Sequence, residues 1–429
     1  MFEFSKSQIN QLEKREISVA NARAMIANIS QQNTYCNIHR PAALGDGIIE
    51  FSTTDLQYYA KLYSDTASNF QVARFIPASG MATRMFSFLS PLVLEDRQAF
   101  VKALEAHQDS PKVKQFLEGY RYFSFYESMK EQIEREYKTT SDSIDFLQVF
   151  IQAVVKQYAN QPKAFVPFHK YGENSRTAIE EQLMYAVQFA LVNNRIAHHF
   201  TISPGLEEAF DQHVKEACLA LERTHACTTD IDYSVQEAST DSLVIDADGQ
   251  LVTDDQGQLV FRAGGHGALL QNLNNIDADL VFINNIDNVS PQAQHEESGM
   301  YKRVLGGYLL HIQQEVFRLL RTIDEEGVLE EAIHFLDQQF HMHIQEDDIA
   351  LRKQKVIDRL NRPLRICGMV PNSGDPGGGP FWVEDEMGVR LQIVERAQVD
   401  LHQPSQAAHF QQGTHFNPVE LVCSLVDFE

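Results

Sequence analysis

The stretch RFIPASGMATRMFSFL, residues 74–89, decides how the chain is read. A strand-like apolar start at Phe75 and Ile76 runs into Ala78, Ser79, Gly80 and Ala82. Thr83, Arg84 and an apolar pattern at helical spacing through Met85, Phe88 and Leu89 follow. A turn with so little side chain lets backbone N–H groups approach an anion, and a following helix adds its positive end. The segment thus predicts a strand, a phosphate-holding turn over Ser79, Gly80, Met81, Ala82 and Thr83, and a helix. An ordinary strand-to-helix turn that needs small residues for packing fits the same letters.

Outward from that turn, the 429 residues are 43% hydrophobic, enough for a large core and more than one domain usually holds. A formal net charge of −23 argues against nucleic acid or an anionic membrane as partner, while an anionic small molecule fits wherever basic groups gather. The five cysteines are scattered and lack a C-x-x-C pair, which points away from disulfide frameworks and structural zinc. No run of 18 apolar residues occurs and the N-terminus is polar, so a soluble cytoplasmic protein is expected.

Residues 1–68 read as an N-terminal helical segment and 69–429 as an α/β domain with helical insertions at about 91–160 and 300–360. In the first insertion Phe100, Leu104, Phe116, Leu147, Phe150 and Val154 are the expected core. QPKAFVPFHKYG (161–172) reads as a loop and short strand, TAIEEQLMYAVQFALVNN (177–194) as an amphipathic helix, and IAHHFTISP (196–204) as a strand. LVFRAGGHGALLQNL (259–273) repeats strand, Gly-rich turn and helix, and ADLVFINNIDNV (278–289) is an apolar strand ending in polar residues. Ligands of open α/β sheets sit beyond such strand ends. VLGGYLLHIQQEVFRLLRTI (304–323) is a core helix. His334, His341 and His343 follow no standard zinc spacing. No solenoid-type repeat is read.

Taken in order, ASGMATRM, PKAFVPF, TAIEEQL, GGHGALLQNL and FINNIDN resemble the nucleotidyltransferases that make nucleotide sugars, especially the UDP-sugar pyrophosphorylase branch. From about residue 70 the chain also resembles a bacterial family known as a domain of unknown function, through PGGGPFWV and THFNPVELVC besides. The resemblance implies a GT-A-type, nucleotide-diphosphate-sugar transferase-like fold, a mixed, mostly parallel sheet flanked by helices. It implies transfer of a nucleotidyl group from an NTP to a sugar 1-phosphate or similar acceptor, with Mg²⁺ and release of pyrophosphate. Arg84 and Lys163 would neutralise charge, and Ser79 to Thr83, Gln236, Gly265, His266 and Gly267 would hold the nucleotide. Asp287 would hold metal, with Asp400 (or Glu395) as a second carboxylate, and His415 and Asn417 would face the acceptor. Ser79 and Ala82 stand where that family prefers glycine, and about eighty residues separate the loop from Lys163. A nucleotide- or nucleotide-sugar-binding protein without turnover is the alternative.

Overall fold

The opening strand forms where its letters place it. Val72–Pro77 (β1) is buried over its first five residues, as a strand covered on both faces should be. Arg195–Ile202 (β2), Thr228–Val235 (β3), Leu280–Ile283 (β4), Leu364–Cys367 (β5) and Leu421–Ser424 (β6) share its sheet, in the order β5-β6-β4-β1-β2-β3. β4 runs parallel to β1 with Leu280 opposite Val72, and β2 runs parallel to β3 from Arg195–Thr228 to Ile202–Val235. β6 is antiparallel to both its neighbours, with Cys423 opposite Val281 and Arg365, which makes this a mixed α/β sheet. The computed structural model describes residues 3–30, 35–246, 248–262, 264–374, 377–385 and 388–429, without the side chains of Ser30 and His266.

Two compact units divide the chain: residues 1–75, 236–284 and 300–429 form the first, and 76–235 with 285–299 the second. In the second unit, Ile76, Ile179, Leu183, Phe200, Phe210 and Ile286 close one core. Another lies within the helical stretch 97–158, where Phe116, Tyr120, Phe146 and Phe150 stack with centroids 5.3 to 6.5 Å apart. Phe100, Phe116, Phe150 and Val154 are buried there, while Leu104 and Leu147 are partly buried. Each fully buried Phe contributes about 1.5–3 kcal/mol, so this stretch has the means to hold itself together.

In the first unit Thr53–Thr66 (α1) packs against residues 300–321 of the helix His295–Arg321 (α3) through Gly306 and Gly307. A Cβ at Gly307 would lie 1.9 Å from the Tyr59 carbonyl oxygen, and one at Gly306 2.6 Å from the Tyr63 ring. In the second unit Ala178–Ala186 forms the helix α2. Elsewhere in the first unit, Val244–Leu251 (VIDADGQL) and Val252–Leu259 (VTDDQGQL) are two successive octads. Val252 N–H donates to Val244, Val260 N–H to Val252 and Val244 N–H to Val260, so three short arms close into a ring. Asp246 and Asp254 cap the two turns alike, each Oδ1 accepting from the residues two and four positions on. Leu243 and Leu259 then pack against Leu12, Ile17 and Ile26.

Three elements differ from the sequence expectation. Asn37–Pro41 is a strand, antiparallel to Gly379–Asp385 with Ile38 opposite Val383, although residues 1–68 read as helical. Only Ile38 and a few neighbours alternate, too short a pattern to stand out beside the flanking helices. α2 ends at Ala186 rather than near 194; turns over residues 187–190 follow, and Asn193 and Asn194 at positive φ (51° and 59°) then lead the chain into β2. Thr83–Phe86 is a single helical turn continued by the tighter 3₁₀ helix Ser87–Leu92, so the opening loop does not lead into a long helix.

Candidate functional site

Most of the proposed phosphate-handling residues belong to the second unit. The segment 78–84 is stitched to 159–163: Lys163 N–H donates to Gly80 O (3.0 Å), Ala82 N–H to Gln161 O (2.9 Å), and Thr83 Oγ1 to Ala159 O (2.9 Å). Ala78 N–H donates to Thr201 O (2.8 Å), which fixes the loop to the end of β2. Among the described residues, the N–H groups of Ser79, Gly80 and Met81 donate to no protein acceptor. Gly80 is exposed, and a Cβ there would meet nothing within 4 Å. Arg84 is exposed and makes no ion pair among the described residues. The helical turn Thr83–Phe86 that carries Arg84 is too short to supply much dipole.

Lys163 and Asp287, 124 residues apart, meet as an ion pair at 2.5 Å (Nζ to Oδ2), each side chain about 30% exposed. Asp287 lies four residues beyond the end of β4, in the turn closed by Asn288 N–H to Asn285 O (3.1 Å). Ile286 is buried among Ile179, Leu183 and Phe200, and Asp287 is left partly exposed beside it. Beneath the turn, the Nε2 of fully buried Gln182 donates to the carbonyls of Asn285 (2.9 Å), Ile286 (3.4 Å) and Asn288 (3.1 Å). Next to it, buried Glu181 Oε1 accepts from Tyr171 Oη (2.6 Å) and lies 3.1 Å from His169 Nδ1. Arg176 and His295 face its other oxygen at 3.8 and 3.7 Å. Burial lowers the His295 imidazole below its ordinary range, against its bond to Ser290 O and the Glu181 charge. Burial first, then Glu181, raises the Tyr171 phenol.

The remaining candidates belong to the first unit. Gln236 Nε2 donates to Thr240 Oγ1 (3.3 Å). The close-packed glycine of the GGHG turn is Gly264, where a Cβ would lie 2.7 Å from Ala268 Cβ and 3.7 Å from Gln236 Nε2. Gly265 and Gly267 have open space around them, and the His266 side chain lies outside what is described. Asp400 Oδ1 accepts from His402 N–H (3.0 Å) and Glu395 caps the short helix Arg396–Gln398. His415 Nδ1 is 2.8 Å from Thr414 Oγ1. Asn417 is buried and spent on backbone: its amide donates to Gly368 O (2.6 Å) and Glu420 O (3.2 Å) and accepts from Val419 N–H (2.9 Å). His341 edges onto Trp382 and His343 pairs with Asp337. No group of three or more metal-capable His, Cys, Asp or Glu side chains occurs among the described residues.

Sequence reasoning named Lys163 and Asp287 separately but missed Gln182, Glu181, His169 and Tyr171. The signal was available in TAIEEQL: a capping box places Thr177 and Glu180 at the helix start, which turns the next two polar residues inward. Those inward residues are Glu181 and Gln182.

Likenesses to solved structures are distant. A UDP-N-acetylglucosamine pyrophosphorylase from Trypanosoma brucei, solved with an inhibitor, is 12% identical over 98% of this chain and 62% of its own, with a TM-score of 0.46. Two variants of the UDP-glucose pyrophosphorylase of Leishmania major, solved with UDP-glucose, are each 11% identical over 99% of this chain and 64% of theirs, with TM-scores of 0.35 and 0.32. The chain thus spans less than two thirds of the length of these enzymes. No curated protein matches it. The model of one family, the domain of unknown function DUF4301, matches residues 5–429, and the chain belongs to that family.

Proposed function

We propose that the protein transfers a nucleotidyl group from an NTP to a sugar 1-phosphate or a similar phosphorylated acceptor, with the loop Ser79–Arg84 as its triphosphate-holding element. The observation that carries this reading is the assembly of that loop with Lys163 and Asp287. Among the described residues, three consecutive N–H groups without protein acceptors, a guanidinium without an ion pair and a Lys–Asp pair belong to one unit, and Lys163 N–H is bonded to the loop itself. Phosphoryl chemistry asks a protein mainly for positioning and charge neutralisation, which such groups provide. Main-chain donors and Arg84 would hold the anionic oxygens, and Lys163 would meet the charge that develops as pyrophosphate leaves.

Asp287 has the donor chemistry for Mg²⁺, which proteins often bind through one or two carboxylates with the rest of its shell from phosphate and water. Bound there, the ion would supply charge neutralisation between donor and acceptor phosphates. Asp287 would then exchange Lys163 for the metal. Asp400 belongs to the first unit and has an oxygen engaged by His402 N–H, so Asp287 is the carboxylate on which this reading depends.

The test is pyrophosphate release from a panel of NTPs with sugar 1-phosphates in the presence of Mg²⁺. Asp287→Asn is expected to reduce release by about a hundredfold, the loss of about 3 kcal/mol of charge stabilisation, while metal-free nucleotide binding does not weaken. The existing Lys163–Asp287 pair favours one other reading, a nucleotide-binding protein that neutralises phosphate without metal. Tight nucleotide-sugar binding with no pyrophosphate release from any pair would select it.

A further inference from the structure

We infer that Gln182, backed by Glu181, is the positioning residue that sets Asp287 against Lys163. The pair joins two segments distant in sequence, and neither side chain is deeply buried, so something else must fix where Asp287 stands. Three contacts do so, all within the second unit. Ile286 plugs the core, Gln182 Nε2 takes the three carbonyls that surround Asp287, and Tyr171 Oη accepts from Gln292 N–H (2.9 Å) farther along the same segment. Tyr171 is in turn held by Glu181, the neighbour of Gln182 in the first turn of α2. One helix turn therefore grips the Asp287 segment at two points, directly through Gln182 and through Tyr171 for Glu181.

An amide suits this task because Nε2–H donors can be shared among converging carbonyl oxygens, whereas a carboxylate would face them with like charge and a methionine would offer no donor. Buried carbonyls that lose their donor move toward other partners or water, and Asp287 moves with them. The part this plays in turnover rests on the proposed nucleotidyl transfer, but the positioning itself can be tested without nucleotide.

The test is acylation of the full-length protein by limiting acetic anhydride, read lysine by lysine by mass spectrometry. An ammonium held on a carboxylate reacts slowly, because its lone pair carries the shared proton. Asp287→Asn is expected to speed acylation of Lys163 about fivefold, the upper range for a partly exposed pair. Gln182→Met should give a similar rise, confined to Lys163, and combining the two should add little. Tyr171→Phe, which keeps the ring and loses only the hydroxyl, should give a smaller rise at the same lysine and serves if Gln182→Met does not fold. The inference fails if Asp287→Asn alone speeds Lys163, if the two effects add fully, or if lysines such as Lys170 speed up equally. Clamp behaviour without pyrophosphate release in any assay would uphold this inference and defeat the nucleotidyl-transfer reading.

Discussion

At the scale of single residues, the opening loop offers substitutions that separate ligand from fold. Gly80 has negative φ and empty space where a Cβ would point, so Gly80→Ala is expected to leave the thermal midpoint nearly unchanged. If an anion sits against the N–H groups of residues 79–81, the added methyl should still weaken triphosphate binding several-fold by calorimetry, a discrimination of about 1 kcal/mol. Arg84→Ala should likewise weaken binding more than folding, since among the described residues its guanidinium makes no ion pair whose loss would cost stability. An ion pair with a buried lysine in the first unit behaves in the opposite way. Lys302 is buried against Glu420, which also accepts from Asn284 Nδ2 at 2.5 Å. Burial lowers the Lys302 amine well below its ordinary range, so the carboxylate beside it matters to folding, and Glu420→Gln is expected to cost about 3 kcal/mol in urea unfolding. His295 gives a pH signature. Its folded-state pKa lies below the ordinary 6.5, so its neutral form is favoured by folding. That stability is complete above about pH 6.5 and declines as pH falls through the window beneath it. His295→Gln, which retains a donor for Ser290 O but does not titrate, should flatten the urea midpoint over that window.

At the scale of elements, the clearest prediction belongs to α1 and α3. Gly307→Ala puts a methyl carbon 1.9 Å from a backbone oxygen, which no side-chain rotation can relieve, so the helices must separate. About 3 kcal/mol or more of destabilisation is expected from chemical denaturation, with Gly306→Ala milder because a ring can shift. Long or strongly patterned elements were legible in the sequence: the apolar strands β1 and β4, the helices of 97–158 and the helix through 304–323 all lie where periodicity places them. Short ones were not. Asn37–Pro41 is a strand because Gly379–Asp385 supplies its partner, and that information lies more than three hundred residues away. The candidate site shows the same division. The letters of Lys163 and Asp287 were readable, yet their meeting depends on Ile286 entering the core and on Gln182 holding the turn, which no local pattern encodes.

At the scale of the whole molecule, a formal charge of −23 acts on any triphosphate before Arg84 does. Raising ionic strength from about 0.01 to 0.15 M shortens the Debye length from roughly 30 to 8 Å, which removes distant repulsion more than contact attraction. Stopped-flow association of an NTP is expected to quicken over that range; a slower rate would mean that local positive charge dominates the approach. The five cysteines are all free, and burial pushes the Cys423 thiol up to about 12, so reductants should leave unfolding unchanged. The two octads that close onto Val260 carry a separate consequence. Each arm of the ring meets both others, and its turns repeat every eight residues, so the length of this segment is quantised. An insertion of one residue reverses which side chains face Leu12 and Ile26 beyond it, and loss of one octad leaves two arms for a ring that needs three. Between Leu243 and Phe261 both turns are fixed by the same pair of residue types, a capping aspartate (Asp246, Asp254) and a glycine at positive φ (Gly249, Gly257), and the ruler they make has no marks smaller than eight.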